Sequence, residues 1–301
     1  MFKDISALFK RNILLYFRHK KTVVMSFFSV FMMLMIYILF LGSQHVATIE
    51  HTLERYNVVA VESDLSWLVN CWVLGGLLSI VPFTAARAVL GQLVTDHEQK
   101  IIRDFKSSPL RMERYPIALI LASTLVGMLM AIAVMLVVCT YIIITSKHMF
   151  PLLVILQVIA IVGAHSFMSA CVMSLPVSRM RTNQDYSTLC TVVDMLIGFV
   201  NCVYIPIGIL PTGVQSFLRF LPFNQATELL RHTICKAPMQ AVFANVAIEG
   251  MQYYESYEGV STKFGPWTVH YWVIIAHMLL WAVVFFALFV RSFNKKDDQI
   301  G

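Results

Sequence analysis

The chain has 301 residues, of which 58% are hydrophobic and 13% charged. Soluble proteins carry about 25% charged residues, so this composition excludes a water-soluble globular protein. The net charge of +6 is distributed by membrane topology and does not mark a nucleic-acid partner.

The first 21 residues form an amphipathic segment. Ile5, Leu8, Phe9, Ile13, Tyr16 and Phe17 recur at helical spacing, and Lys3, Lys10, Arg11 and Arg18 fall largely on the other side. Such a helix lies along the inner interface with its basic face toward anionic headgroups. Membrane-length apolar stretches follow. A span needs about 20 apolar residues, and Thr22 to Leu41 meets that length without a charge. It exceeds the roughly 7–15 residues of a signal-peptide core, so it is expected to stay as an anchor. Further spans are expected at about Leu65–Leu90, Pro116–Thr145, Pro151–Val177, Ser187–Ile205 and His270–Val290. The fold class expected is therefore an all-α membrane protein with six transmembrane helices in a single domain, 1–301. Most of the 23 basic residues fall before the first span, in 91–115, near Arg179 and in the tail once the N-terminus is placed inside. Both termini are then cytoplasmic.

The cytoplasmic loop 91–115 carries the densest charge. Asp96 to Lys106 has helical propensity, with opposing charges at i,i+4 such as Asp96 and Lys100. It ends at Ser107-Ser108-Pro109, because the residue before proline is pushed out of helical geometry. Ile101, Ile102 and Phe105 give it an apolar patch. Pattern alone leaves a docking peg and a solvated loop equally open.

In the fourth span, Ser166, Ala170 and Ser174 form a small-xxx-small pattern suited to close helix packing. In the fifth, Ser187, Thr191, Asp194, Gly198 and Asn201 are spaced by four, three, four and three residues, which puts a polar stripe on one face. A carboxyl group in the apolar layer must face a partner, the bundle interior or water. A structural bond between helices and a place in a substrate or proton path both fit Asp194. After Ile205, Pro206-Ile207-Gly208-Ile209-Leu210-Pro211 breaks the helix, and 206–269 holds pieces too short to cross, expected as re-entrant or outer helices.

Five of the six cysteines fall in apolar spans, where they serve as small packing residues. No glycine precedes a lysine, so a phosphate-cradling Walker loop is absent from the sequence. Metal-ligand histidine spacing, a Gly-x-Ser-x-Gly turn and paired carboxylates within a span are absent too. No catalytic, cofactor-binding or metal-binding residue is expected on this chain.

Four features, in order, resemble the permease subunits of ABC type-two exporters. They are the N-terminal amphipathic segment (1–21, like an elbow helix); the acidic-basic run from Asp96 to Lys106 closed by Ser107-Ser108-Pro109; the Gly208-Ile209-Leu210-Pro211 turn; and Leu221-Pro222-Phe223-Asn224 through Arg231. The family more often shows Asn-Pro where this chain has Phe223-Asn224. The resemblance implies a permease dimer or paired homologue driven by a cytoplasmic ABC ATPase subunit that holds ATP and Mg, in membrane lipid. It makes Asp96, Glu98, Ile101, Ile102, Asp104, Phe105, Ser108 and Pro109 the ATPase-coupling residues. Thr191, Asp194, Gly198 and Asn201 are candidates for the translocation path or for helix packing. The implied cargo is amphipathic or lipid-like, a drug or a peptide, exported across a bacterial plasma membrane. The alternative is an ion-coupled secondary transporter or channel with Asp194 and Arg87 as a relay. A sensor or immunity role on the same fold also stays open.

Overall fold

The computed structural model describes residues 2–37, 42–54, 61–107, 112–264 and 267–298. The described residues are almost wholly helical. Two amphipathic or apolar helices come first, α1 (Phe2–Arg18) and α2 (Lys20–Ile36), bent by 71° at His19. Then follow α3 (Gly42–Glu54), α4 (Glu62–Glu98), the short α5 (Ile101–Ser107), α6 (Arg114–Ser146), α7 (Leu152–Arg179) and α8 (Asn183–Val200). A 3-10 turn (Ile207–Ile209) leads to α9 (Thr212–Phe220), α10 (Pro222–Val242) and α11 (Ile248–Tyr257). Lys263–Phe264 and Trp267–Thr268 pair as a minimal antiparallel ladder before α12 (Tyr271–Asp298).

Among the described residues, four helices are long and apolar enough to cross a membrane: α4, α6, α7 and α12 through Phe293. The bent α1–α2 pair makes a fifth if counted as one span. The centre is α4. In its most apolar window 89% of residues are buried, against 22% for α12, so α4 is surrounded by protein and α12 offers most of its surface outward. Apolar burial does not drive helices together in lipid, and close approach does. The expected small stripe on α7 serves that end: Ser166, Ala170 and Ser174 are all fully buried. Opposite them Gly127 of α6 brings a backbone close. A Cβ there would meet the Pro82 carbonyl oxygen at 3.0 Å and Ser166 Oγ at 3.3 Å.

Pro82 lies inside α4 and lacks the N–H that would close its turn. In that turn His165 of α7 places Nε2 2.7 Å from the Ser79 carbonyl oxygen. The Ser79 hydroxyl accepts a hydrogen bond from Asn201 Nδ2 at 3.1 Å.

Two expected boundaries shift. The second span does not stop at Leu90: α4 runs on to Glu98 because Gly91–Glu98 contains no proline and is clad by α1 and α6. The expected fifth span, Ser187–Ile205, ends at Val200, where Asn201 caps the helix and Cys202 turns left-handed at φ 49°. Apolar residues continue past that turn, and helix does not. At its start, Thr182 Oγ1 accepts from the Asp185 N–H at 3.1 Å, an N-cap bond. Segment 206–269 holds more helix than its broken pattern suggested, with α10 alone spanning 21 residues from a proline at its first turn.

Candidate coupling and translocation site

The α4–α5 corner carries the residues expected to couple. The chain turns at Gln99 and Lys100, the latter left-handed at φ 63°, so Asp96–Lys106 is not one continuous helix. Asp96 is not a presented charge either. It is fully buried at the end of α4. Arg11 of α1 grips both its oxygens, at 2.8 and 2.7 Å. The Tyr115 hydroxyl donates to it at 2.7 Å, and Gln92 Nε2 also donates at 2.7 Å. Arg11 therefore takes the partnership expected for Lys100. The cause is geometric: α1 crosses the end of α4 and brings a guanidinium fork, whose two parallel donors match a carboxylate.

Around this brace the corner is packed. Phe105 is half-buried, 6.0 Å from the Tyr115 ring with the Arg11 guanidinium 5.2 Å from its centroid. Tyr115 also stacks on Phe293 of α12 at 5.9 Å. Ile102 is buried and Ile101 half-buried, and Arg103, Asp104 and Ser107 are exposed. Glu98 ties α4 to the start of α8 by accepting from the Asn183 side-chain amide. Asp4 of α1 pairs with Arg114 of α6. Of the expected coupling set, Asp104 thus stands free on the surface while Asp96 and Ile102 face inward. Ser108 and Pro109 lie outside the described residues.

The α8 stripe divides into two parts. Gly198 and Asn201 are buried against α4 and the turn after α8, where the Tyr204 ring packs over Gly198. Thr191 is exposed and bonds its own helix through the Ser187 carbonyl. Asp194 meets Arg87 of α4 at 2.9 Å, with their side chains 43% and 17% exposed. The two charges that the relay alternative named together form one ion pair. It stands on the wall of a cavity of about 540 Å3 between α1, α2, α4 and α8, lined also by Asn12, Tyr16, Lys21, Gln92, Asn183 and Tyr186. A smaller pocket bounded by Thr84, Asp194, Ile197 and Tyr204 continues from it toward Val30 and Leu77.

At the opposite end of α4 sits a latch that the sequence did not suggest. Arg231 of α10 is 1% exposed. Its guanidinium lies 3.6 Å from the Trp72 ring centroid and donates to the carbonyl oxygens of Cys202 at 2.9 Å, Glu258 at 3.3 Å and Trp72 at 3.4 Å. Gly75 and Gly76 make room for it. A Cβ on Gly75 would stand 2.7 Å from Arg231 Cγ. Trp72 Nε1 donates to the same Glu258 carbonyl at 2.8 Å. The Glu258 carboxyl, fully buried, lies 3.2 Å from His45 Nε2 of α3. Both groups lie outside the helices long enough to cross. Burial pushes the Glu258 carboxyl up to about 8 against the pull of Arg231, and burial lowers His45 to about 3. At neutral pH the contact is thus between two uncharged groups. Glu228 accepts from the Thr262 hydroxyl and lies 3.5 Å from Arg219. Little in the sequence signals this, because Arg231, Glu228 and Glu258 stand among other charges in the same stretch, Arg219, Lys236, Glu249 and Glu255.

No group of three or more potential metal ligands occurs among the described residues. In comparison with known families, residues 3–235 match the ABC2_membrane family model, described as ABC-2 type transporter. A search of curated proteins finds no match.

Proposed function

Because the chain belongs to the ABC-2 type transporter family, a family of transport permeases, we propose that it is the six-span membrane subunit of an ATP-driven exporter. It pairs with a second permease copy, and a separate cytoplasmic ATPase subunit supplies ATP and Mg. In this reading both termini and the α4–α5 corner face the cytoplasm of a bacterial cell, α1 is the elbow helix and α5 the coupling helix. The Arg231 latch closes the outer face.

The observation that carries the proposal is the brace at Asp96. A push on α5 reaches α4 directly through the Lys100 turn. It reaches α1, α6 and α12 through Arg11, Tyr115 and Phe293. Because α4 is the buried centre of the bundle, a tilt of its inner half alters the cavity wall at Arg87 and Asp194. The exposed apolar residues of α2 (Phe28, Phe31) and α8 (Met195, Phe199) suit a seam with the second copy. The cargo class the cavity supports is an amphipathic one, since its lining mixes Leu15 and Met25 with the polar residues above.

The test is reconstitution. The chain alone should hydrolyse no ATP, and export from vesicles should need both the ATPase subunit and ATP. The Arg87–Asp194 pair gives the ion-coupled alternative its one specific support. Transport driven by a proton or sodium gradient in ATP-free vesicles would establish that alternative instead.

A further inference from the structure

Two residues on the wall of the cavity between α1, α2, α4 and α8 each hold a polar atom that is buried and without a hydrogen-bond partner. The atoms are Asn12 Nδ2 and Arg87 Nε. Both are donors. The Asn12 amide is oriented by its Oδ1, which accepts from Arg11 at 3.3 Å, so the nitrogen is the end left over. The other charges on the wall are the exposed Lys21 and the acid Asp194, and Arg87 engages that acid through a terminal nitrogen at 2.9 Å. His19 stands beside Lys21 at the bend between α1 and α2. A neutral apolar occupant would leave both donors desolvated, and a cationic one would meet Arg87 and Lys21. An anion with several acceptor oxygens suits Lys21 and the terminal guanidinium nitrogens, comes to the two buried donors once Asp194 moves aside, and has the geometry that a guanidinium fork fits. Leu15, Met25 and Val89 give the same wall an apolar stretch.

We propose that this cavity is the headgroup site for a phosphate-bearing amphiphile, with Arg87 as the anion ligand and Asp194 as an internal stand-in that the phosphate displaces. The proposal deepens the exporter reading and rests on it only for placing the His19 bend at the inner leaflet. Asp194 neutralises Arg87 and holds its guanidinium in the geometry of an anion partner. When a phosphate arrives, its oxygens take the terminal guanidinium nitrogens, Nε and the Asn12 amide, and the α4–α8 tie through Asp194 is released. Occupancy thereby loosens one of the ties between α4 and α8, while those through Glu98–Asn183 and Ser79–Asn201 stay in place.

The experiment uses the full chain in phosphatidylcholine nanodiscs with a photoactivatable phosphatidylglycerol, compared with a photoactivatable diacylglycerol of the same chains. Only adducts on the cavity-lining positions of α4, Ala88, Val89, Gly91, Gln92 and Thr95, are counted. Phosphatidylglycerol should label this wall, and diacylglycerol at least tenfold less. Arg87→Gln should cut the labelling about tenfold, Arg87→Lys should restore part of it, and Asp194→Asn should keep or raise it. Should Arg87→Gln fail to fold, Lys21→Gln at an exposed position should still lower labelling about threefold. Competition by millimolar inorganic phosphate would identify soluble phosphate as the source of the anion. Its failure to compete would identify the lipid headgroup. Equal labelling by the two probes, or labelling unchanged in both Arg87→Gln and Lys21→Gln, overturns the proposal. The assay needs no ATPase, so that outcome leaves the exporter reading intact. Loss of ATP-driven export with labelling preserved would instead strike the exporter reading alone.

Discussion

Replacing Asp96 with alanine strips the acceptor from the Arg11 guanidinium, the Tyr115 hydroxyl and the Gln92 amide together. Removing one partner of a buried ion pair costs about 3–5 kcal/mol when the other is left without water. The Arg11 side chain keeps 26% of its exposure, so water recovers part of that and the ion-pair loss falls to roughly 2 kcal/mol. The Tyr115 hydroxyl is fully desolvated and adds about 1 kcal/mol. The sum of about 3 kcal/mol corresponds to an increase of about 150-fold in the population with α1 undocked. Amide hydrogen exchange reads this directly. Residues 5–17 should exchange about 100-fold faster in Asp96→Ala, with α7 and α10 unchanged. Asp96→Asn keeps an acceptor for Tyr115 and should fall between. Arg11→Ala with Asp96→Ala should cost at least 1 kcal/mol less than the sum of the single changes, because no stranded charge remains. Exchange across α1 within threefold of the parent in Asp96→Ala would refute the brace.

Gly75→Ala should lower stability by about 1–3 kcal/mol, read as a fall in thermal midpoint, because its new methyl meets Arg231. Asp194→Asn should change stability by less than about 1 kcal/mol, since Asp194 is 43% exposed and its bond to Arg87 survives in neutral form; a larger loss in the same melt would make the pair structural. Asp104→Lys, at an exposed position, should reduce ATPase co-purification without slowing or speeding α1 exchange, whereas Phe105→Asp should disturb both because Phe105 lies on Arg11 and Tyr115. The Glu258 latch should depend on pH. A carboxyl raised to about 8 holds its proton more tightly when folded, so its contribution is full at low pH and lost as pH rises from about 4.5 to 8. His45, lowered to about 3, contributes the opposite slope between about 3 and 6.5. The slopes cancel from about 4.5 to 6.5, and stability then falls by up to roughly 2 kcal/mol toward pH 8. Arg231, Cys235, Tyr254 and Tyr37 surround the pair and moderate that figure. Exchange across 248–260 measures it, and Glu258→Gln should abolish the fall above pH 6.5.

Much of the helix layout was legible because it follows from one-dimensional patterns. The stripe of Ile5, Leu8, Phe9 and Ile13 gave α1, unbroken apolar length gave α4, α6, α7 and α12, and Ser166, Ala170 and Ser174 gave a packing face. What stayed hidden depends on contacts across the sequence. Asp96 reads as a solvated loop charge until α1 arrives with Arg11, 85 residues earlier in the chain. Asp194 and Arg87 were named together as the relay of the ion-coupled alternative, and their direct ion pair across 107 positions was not legible. Hydropathy also overran α8, because Val203 and Ile205 continue apolar past the turn at Cys202. Burial and helicity are separate properties, and an apolar turn satisfies one without the other.

The Arg231 latch also sets a timetable for synthesis. Two of its three carbonyl acceptors, on Trp72 and Cys202, precede Arg231 in the chain and are in place when α10 emerges. The third, on Glu258, follows 27 residues later. At about 5–20 residues per second, that leaves the guanidinium incompletely bonded for about one to five seconds. The latch can close only when that carbonyl is delivered, before α12 has been made. Helix α12 is therefore added to a bundle already fastened at the Trp72 end of α4, and a stall in translation between 231 and 258 would hold the chain with its guanidinium incompletely bonded.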